Sequence, residues 1–128
     1  MAYTHDRLLK DTPLEDADRR VRNALKSEGF GVLTEIDVKA TMKQKIDADM
    51  DDYLILGACN PKMAWEAIEI EPRIGAMLPC NVILRSVDGG TQVGAVDPVA
   101  SMSAVDNPHL HEVAGTVRDM LVRAIDAA

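Results

Sequence analysis

Hydrophobic and polar positions along the chain alternate between two periods, and the switches between them mark out the elements. Residues 2–9 alternate weakly and predict a short first strand. From residue 14 the period lengthens: Leu14, Ala17, Val21 and Leu25 fall on one helical stripe. Thr12-Pro13-Leu14-Glu15 reads as its start, with Thr12 capping, Pro13 at the first helical position and Glu15 completing a capping box. Gly29 supplies the left-handed residue that ends such a helix. Phe30 to Val38 returns to period two, and Lys39 to Ile46 predicts a short helix with Met42 and Ile46 turned inward. Tyr53-Leu54-Ile55-Leu56-Gly57-Ala58-Cys59 is apolar at nearly every position, the pattern of a central strand covered on both faces.

The second half is punctuated by proline and glycine. Asn60-Pro61 is a cap followed by a first-turn proline. The helix it opens has Met63, Ala64, Ala67 and Ile68 as its buried stripe, and Pro72 marks its end. Met77 to Val87 is a second apolar strand, entered through Pro79. Asp88-Gly89-Gly90 is a hairpin turn, and Thr91 to Asp97 returns antiparallel. Pro98 to Asp106 reads as a loop. Asn107-Pro108 then opens the best-patterned helix of the chain. Its Leu110, Val113, Ala114, Val117, Leu121, Ala124 and Ile125 face inward, and Glu112, Arg118, Asp119, Arg123 and Asp126 face water. The order β-α-β-α-β-α-β-β-α predicts a single α+β domain over residues 1–128, with helices packed on one face of a mixed sheet.

Composition narrows the classes of function. Only 3% of the residues are aromatic, so the core must be built from aliphatic residues and some of the seven methionines. The net charge of −7 removes the basic face that nucleic acids and anionic membranes require. No apolar run approaches the ~20 residues of a spanning helix, and the first residues carry no apolar signal stretch. Two cysteines in 128 residues are not a disulfide framework. The expectation is a cytoplasmic protein with reduced thiols.

The candidate chemistry gathers at two Cys-Asn pairs, Cys59-Asn60 and Cys80-Asn81. Cys59 stands between a strand end and a helix N-terminus, where unpaired N–H groups and the helix dipole favour a thiolate. It is a candidate nucleophile or redox thiol; the plainer and favoured reading is a small buried residue in a strand-to-helix turn. Cys80 is a candidate resolving partner only if the two strands run antiparallel or offset, because a bridge needs Cα atoms within about 7 Å. Capping accounts for Asn60. Asn81, in an apolar strand where Asn is depleted, is expected to be buried and to bond either the main chain or a ligand. Gly57 and the following helix start outline a weak anion site. The candidate ligand-binding residues are therefore Gly57, Asn60 and Asn81.

Other motifs fall away on spacing. Asp47, Asp49, Asp51 and Asp52 suggest a calcium loop, but the sixth position is Asp52 instead of Gly and the twelfth is Ala58 instead of Glu. His109 and His111, two apart on a helix, point to different sides, and with His5 they lack zinc-ligand pairing. No dinucleotide, P-loop or nucleophile-elbow motif is present. Glu35, Asp37 and Asp97 near strand ends are acid–base candidates that capping and surface charge explain as well. No metal site and no cofactor are expected.

Gly29-Phe30-Gly31-Val32-Leu33, Glu35-Ile36-Asp37-Val38, Gly57-Ala58-Cys59-Asn60-Pro61, Leu78-Pro79-Cys80-Asn81-Val82 and Ala95-Val96-Asp97-Pro98 together resemble the signature blocks of the domain of unknown function 302 family. The resemblance spans roughly residues 13–127. It implies a compact α+β fold with helices on a curved sheet, and dimers. It carries no catalytic assignment, because the family's activity is not established. The matching positions are Cys59, Asn60, Pro61, Pro79, Cys80 and Asn81. The reading that follows is a homodimer binding a small ligand or protein partner near the Cys-Asn strand ends, not an enzyme. The alternative is a thiol-dependent redox or sulfur-handling protein using Cys59 and Cys80. A third is a purely structural or regulatory dimer.

Overall fold

A computed structural model describes residues 2–128. The chain runs β1 (Thr4–Lys10), α1 (Leu14–Ser27), β2 (Gly31–Asp37), α2 (Val38–Ile46), β3 (Tyr53–Cys59), α3 (Pro61–Ile70), a 3-10 turn (Pro72–Met77), β4 (Cys80–Val87), β5 (Gly90–Val96), a short α4 (Pro98–Ser101) and α5 (Pro108–Ala127). The α+β architecture and element order are as expected. The five strands form one curved sheet in the order β1-β5-β4-β3-β2. All four ladders are antiparallel, a more uniform sheet than the mixed one anticipated.

Helices α1 and α5 pack against each other and cover one face of the sheet. Between them and the sheet lies the core: Ala17, Val21 and Leu25 from α1, Leu54 and Leu56 from β3, Val82 and Leu84 from β4, Val93 and Ala95 from β5, and Leu121 and Ile125 from α5. A smaller cluster of Ala67, Ile74, Met102, Leu110 and Ala114 joins α3, the 3-10 turn, α4 and the start of α5.

The opposite face of the sheet carries no helix, which corrects the reading of β3. Its burial alternates, with Leu54, Leu56 and Ala58 buried and Tyr53, Ile55 and Cys59 only half-buried. The apolar run reflects an interior strand whose outer face also bears apolar residues, not two covered faces. Helix α2 has no buried residue; Met42 and Ile46 are exposed, although the helix touches both β2 and β3. In α3 the buried position is Ala67; Ile68 faces solvent, and Ile70 packs against the smaller cluster in its place.

Local devices hold the ends. Thr12 does not cap α1: its hydroxyl donates back to the Lys10 carbonyl, and Pro13 takes the N-cap position. Gly29 does end the helix, with φ of 84°. Phe30 N–H donates to Leu25 O and Gly29 N–H to Lys26 O, the double bond of a Schellman cap. Asp97 caps α4 through Val99 N–H, so part of the expected 98–106 loop is helical.

Candidate functional site

The antiparallel ladder between β3 and β4 decides the arrangement of the Cys-Asn pairs. Ala58 is the ladder partner of Cys80 and Gly57 of Asn81. Cys59, one residue beyond Ala58, ends β3 opposite Gly31. The end of one strand and the start of the other therefore lie side by side, and both cysteines border one cavity. Phe30, Met63, Met102, Val113 and Val117 supply much of its wall, with Leu78 and Pro79 at the β4 entry. The cavity measures about 30 Å³. Small-molecule pockets run to roughly 300–1,000 Å³, so this one admits only an occupant of one or two heavy atoms.

The thiols differ. Cys80 is buried, and its pKa is pushed up to about 11, first by burial and then by the nearby Cys59. At neutral pH it is a neutral thiol. Cys59 is half-buried, and both are free. Asn60 sits at the cavity but is committed to structure. Its Oδ1 accepts from Met63 N–H at 3.3 Å, capping α3, and its Nδ2 reaches Glu28 O at 3.4 Å. It thus ties the start of α3 to the end of α1. A side chain on Gly29 would approach Asn60 Nδ2 to 3.0 Å, so a glycine there serves the packing as well as the left-handed backbone.

Gly57 and Asn81 point the other way. Any Cβ on Gly57 would meet Thr34 Oγ1 and lie 2.7 Å from Pro79 Cγ, so Gly57 lets β3 pack closely against these two side chains. Asn81 is exposed, not buried as its apolar flanks suggested, because β4 alternates and Asn81 faces the uncovered side. The three candidate ligand residues therefore do not converge.

Asn81 belongs instead to a broad open groove of about 530 Å³ on that side. One cross-strand row spans the whole sheet: Asp6, Gly94, Ile83, Ile55 and Ile36. Beside it runs a second row of Leu8, Gln92, Arg85 and Tyr53. Arg85 donates to Gln92 Oε1, and the Asp6 carboxylate lies over the missing side chain of Gly94. Sequence reasoning missed Asp6, Arg85 and Gln92. The signal was there in the period-two alternation of β4 and β5, but the supposed double cover of β3 hid it.

The remaining candidates have structural partners. Asp37 caps α2 through Ala40 N–H at 2.9 Å, and Glu35 pairs with Arg22 at 3.2 Å. His111 Nε2 lies 2.6 Å from Val105 O, and His5 pairs with Asp126 at 2.8 Å, on a different element from the other two histidines. Asp47 and Asp49 both pair with Lys43. Among the described residues, no three His, Cys, Asp or Glu side chains are grouped to hold a metal ion. Among those residues, no helix is long and apolar enough to cross a membrane.

The family model for the domain of unknown function DUF302 matches residues 6–128. The chain belongs to the DUF302 family. A similar solved structure is the crystal structure of an uncharacterized conserved DUF302 protein from Bacillus stearothermophilus. It is 26% identical, with a TM-score of 0.92, and the alignment covers 99% of this chain and 98% of that one. No curated protein matches the chain. The DUF302 match thus reaches β1, beyond the 13–127 region the signature blocks suggested, and it assigns no activity.

Proposed function

We propose that this DUF302 protein is a cytoplasmic homodimer that binds a very small ligand at the Cys-Asn strand ends and is not an enzyme. The observation that carries the reading is the apolar cavity bordered by Cys59 and Cys80. Close-packed interiors leave few such spaces. Cys80, neutral at physiological pH, weighs against a thiol relay, since the thiolate is the nucleophile.

The uncovered sheet face supports the dimer. Its centre is a row of isoleucines, flanked by Tyr3, Tyr53 and Arg85, residue types enriched at interfaces. Asp6 and Arg85 lie on this same face in neighbouring rows. A two-fold axis can therefore set each Arg85 against Asp6 of a second copy, making two pairs from one surface. Partly screened at the rim, such pairs set register more than affinity.

Native mass spectrometry of freshly purified protein tests both parts. A dimer carrying a reproducible extra mass is the expected result. A clean apo monomer overturns the reading.

A further inference from the structure

The open face of the sheet brings two opposite charges above one strand without pairing them. Gly94 of β5 has no side chain, and Asp6 Oδ1 and Ile83 Cγ1 are the nearest atoms over its empty position. Asp6 Oδ2 accepts from the Thr4 hydroxyl at 3.1 Å. On the same face of β5, two residues earlier, Gln92 Oε1 accepts from Arg85 Nη2. The carboxylate is therefore drawn over β5 from β1 and the guanidinium from β4, to positions whose Cα atoms are about 7 Å apart along the strand. Among the described residues, neither Asp6 nor Arg85 forms an ion pair. Both line the one open groove, and its volume of about 530 Å³ is that of a small-molecule site.

We propose that this groove binds a free α-amino acid with an apolar side chain, its ammonium on Asp6 and its carboxylate on Arg85. Asp6 Oδ1 can accept from an ammonium. Arg85 has five N–H donors, and Gln92 aims the group while occupying few of them. A ligand of one sign would meet one of these charges and be repelled by the other; a zwitterion satisfies both. Length agrees as well. A charge-assisted hydrogen bond of about 2.8 Å at each end, added to the short ammonium-to-carboxylate span of an amino acid, bridges roughly 8 Å. A dipeptide sets its charges about 3.5 Å further apart.

The apolar part of the groove lies beside the two charges. Ile83 borders Gly94 on β4, and Tyr53 is the ladder partner of Arg85. Both are half-buried and line the groove, so a ligand side chain laid over them leaves water without leaving the face. The site is separate from the cavity at the Cys-Asn strand ends and does not need the dimer. It does share Asp6 and Arg85 with the dimer face proposed above, so an amino acid and a second copy compete for the same two charges.

The test is isothermal titration calorimetry of the full-length protein with L-leucine and L-phenylalanine. One site per chain is expected. N-acetyl-L-leucine, which lacks the ammonium, and L-leucinamide, which lacks the carboxylate, should each bind about tenfold to a hundredfold more weakly, the loss of one charge-assisted contact. Asp6→Asn should remove the preference for leucine over its N-acetyl form and keep the preference over the amide; Arg85→Gln should do the reverse. Both side chains are exposed, and an unchanged circular dichroism spectrum confirms that each variant folds. No binding of either amino acid, indifference to both caps, unchanged preferences in both variants, or equally tight binding of L-leucyl-L-leucine overturns the proposal. Sedimentation with and without leucine separates this site from the dimer. A dimer that forms while leucine does not bind removes the amino-acid site and leaves the dimer standing. Leucine that binds with the predicted preferences and leaves the dimer intact supports the site and places the dimer interface elsewhere.

Discussion

Cys80 shows how a residue's chemistry is set by its position in the sheet. Its thiol has an ordinary pKa near 9.0, and burial lifts it to about 11. The unfolded chain therefore ionises first as pH rises. Stability is unaffected by this group below about pH 9, falls between pH 9 and 11, and levels off above that; two pKa units correspond to about 2–3 kcal/mol. Melting curves from pH 8 to 11 should show a larger loss for the wild type than for Cys80→Ala. If the two fall in parallel, Cys80 is not the group responsible. Iodoacetamide at neutral pH should label Cys59 well before Cys80, as peptide mapping would show. Gly57 makes a steric argument at the same scale. With Thr34 and Pro79 against its Cα, Gly57→Ala should cost about 1–3 kcal/mol by overpacking. A denaturation midpoint unchanged by the substitution would contradict that packing. The glycine and the cysteines stood out in the sequence; which face each one serves did not, because a side chain's face depends on strand register.

The most heavily anchored element is α5. Its C-terminal carbonyls are received by arginines from two other elements. Arg7 on β1 donates to Ile125 O, Asp126 O and Ala128 O at 3.0, 2.9 and 2.7 Å, and Arg20 on α1 reaches Ala128 O at 2.9 Å. These bonds satisfy carbonyls that a helix end leaves unpaired, and the positive charge complements the dipole. Arg7→Ala should cost about 1.5–3 kcal/mol, as expected for hydrogen bonds to a charged group. Arg7→Lys should recover much of it, because all three bonds leave the one nitrogen Nη1 and an ammonium also offers three donors. Hydrogen exchange should quicken in the last turn of α5 more than elsewhere; uniform quickening would mean the clamp acts on the whole fold. The stripe of α5 was plain from its sequence, since period 3.6 over twenty residues is hard to mistake. Helix α2 is the opposite case. Its apolar residues match a helical period, yet at nine residues it buries none of them, and Met42 and Ile46 stay exposed.

For the whole molecule, the consequence of a sheet covered on one side is an uncovered face with isoleucines at its centre. If two copies meet there, Ile83→Lys should give a folded monomer, with the thermal transition retained and the mass halved in sedimentation. A dimer that survives this change places the interface elsewhere. Asp6→Arg should also weaken the dimer, and combining it with Arg85→Asp should restore it. What the sequence determined by itself was local: the element order, the caps at Asn60 and Asn107, the turn at Gly29, the hairpin at Asp88-Gly89, and the family signature. These depend on backbone preference and hydrophobic period, which act over a few residues. Long-range pairing was left to the tertiary structure. The antiparallel β3–β4 ladder brought Cys59 and Cys80 to one cavity, where a parallel crossover would have set them at opposite ends. The same ladder turned Gly57 and Asn81 to the other side. The placement of α1 and α5 on a single face left the isoleucine row bare, because an apolar strand reads alike whether a helix or a second molecule covers its outer side.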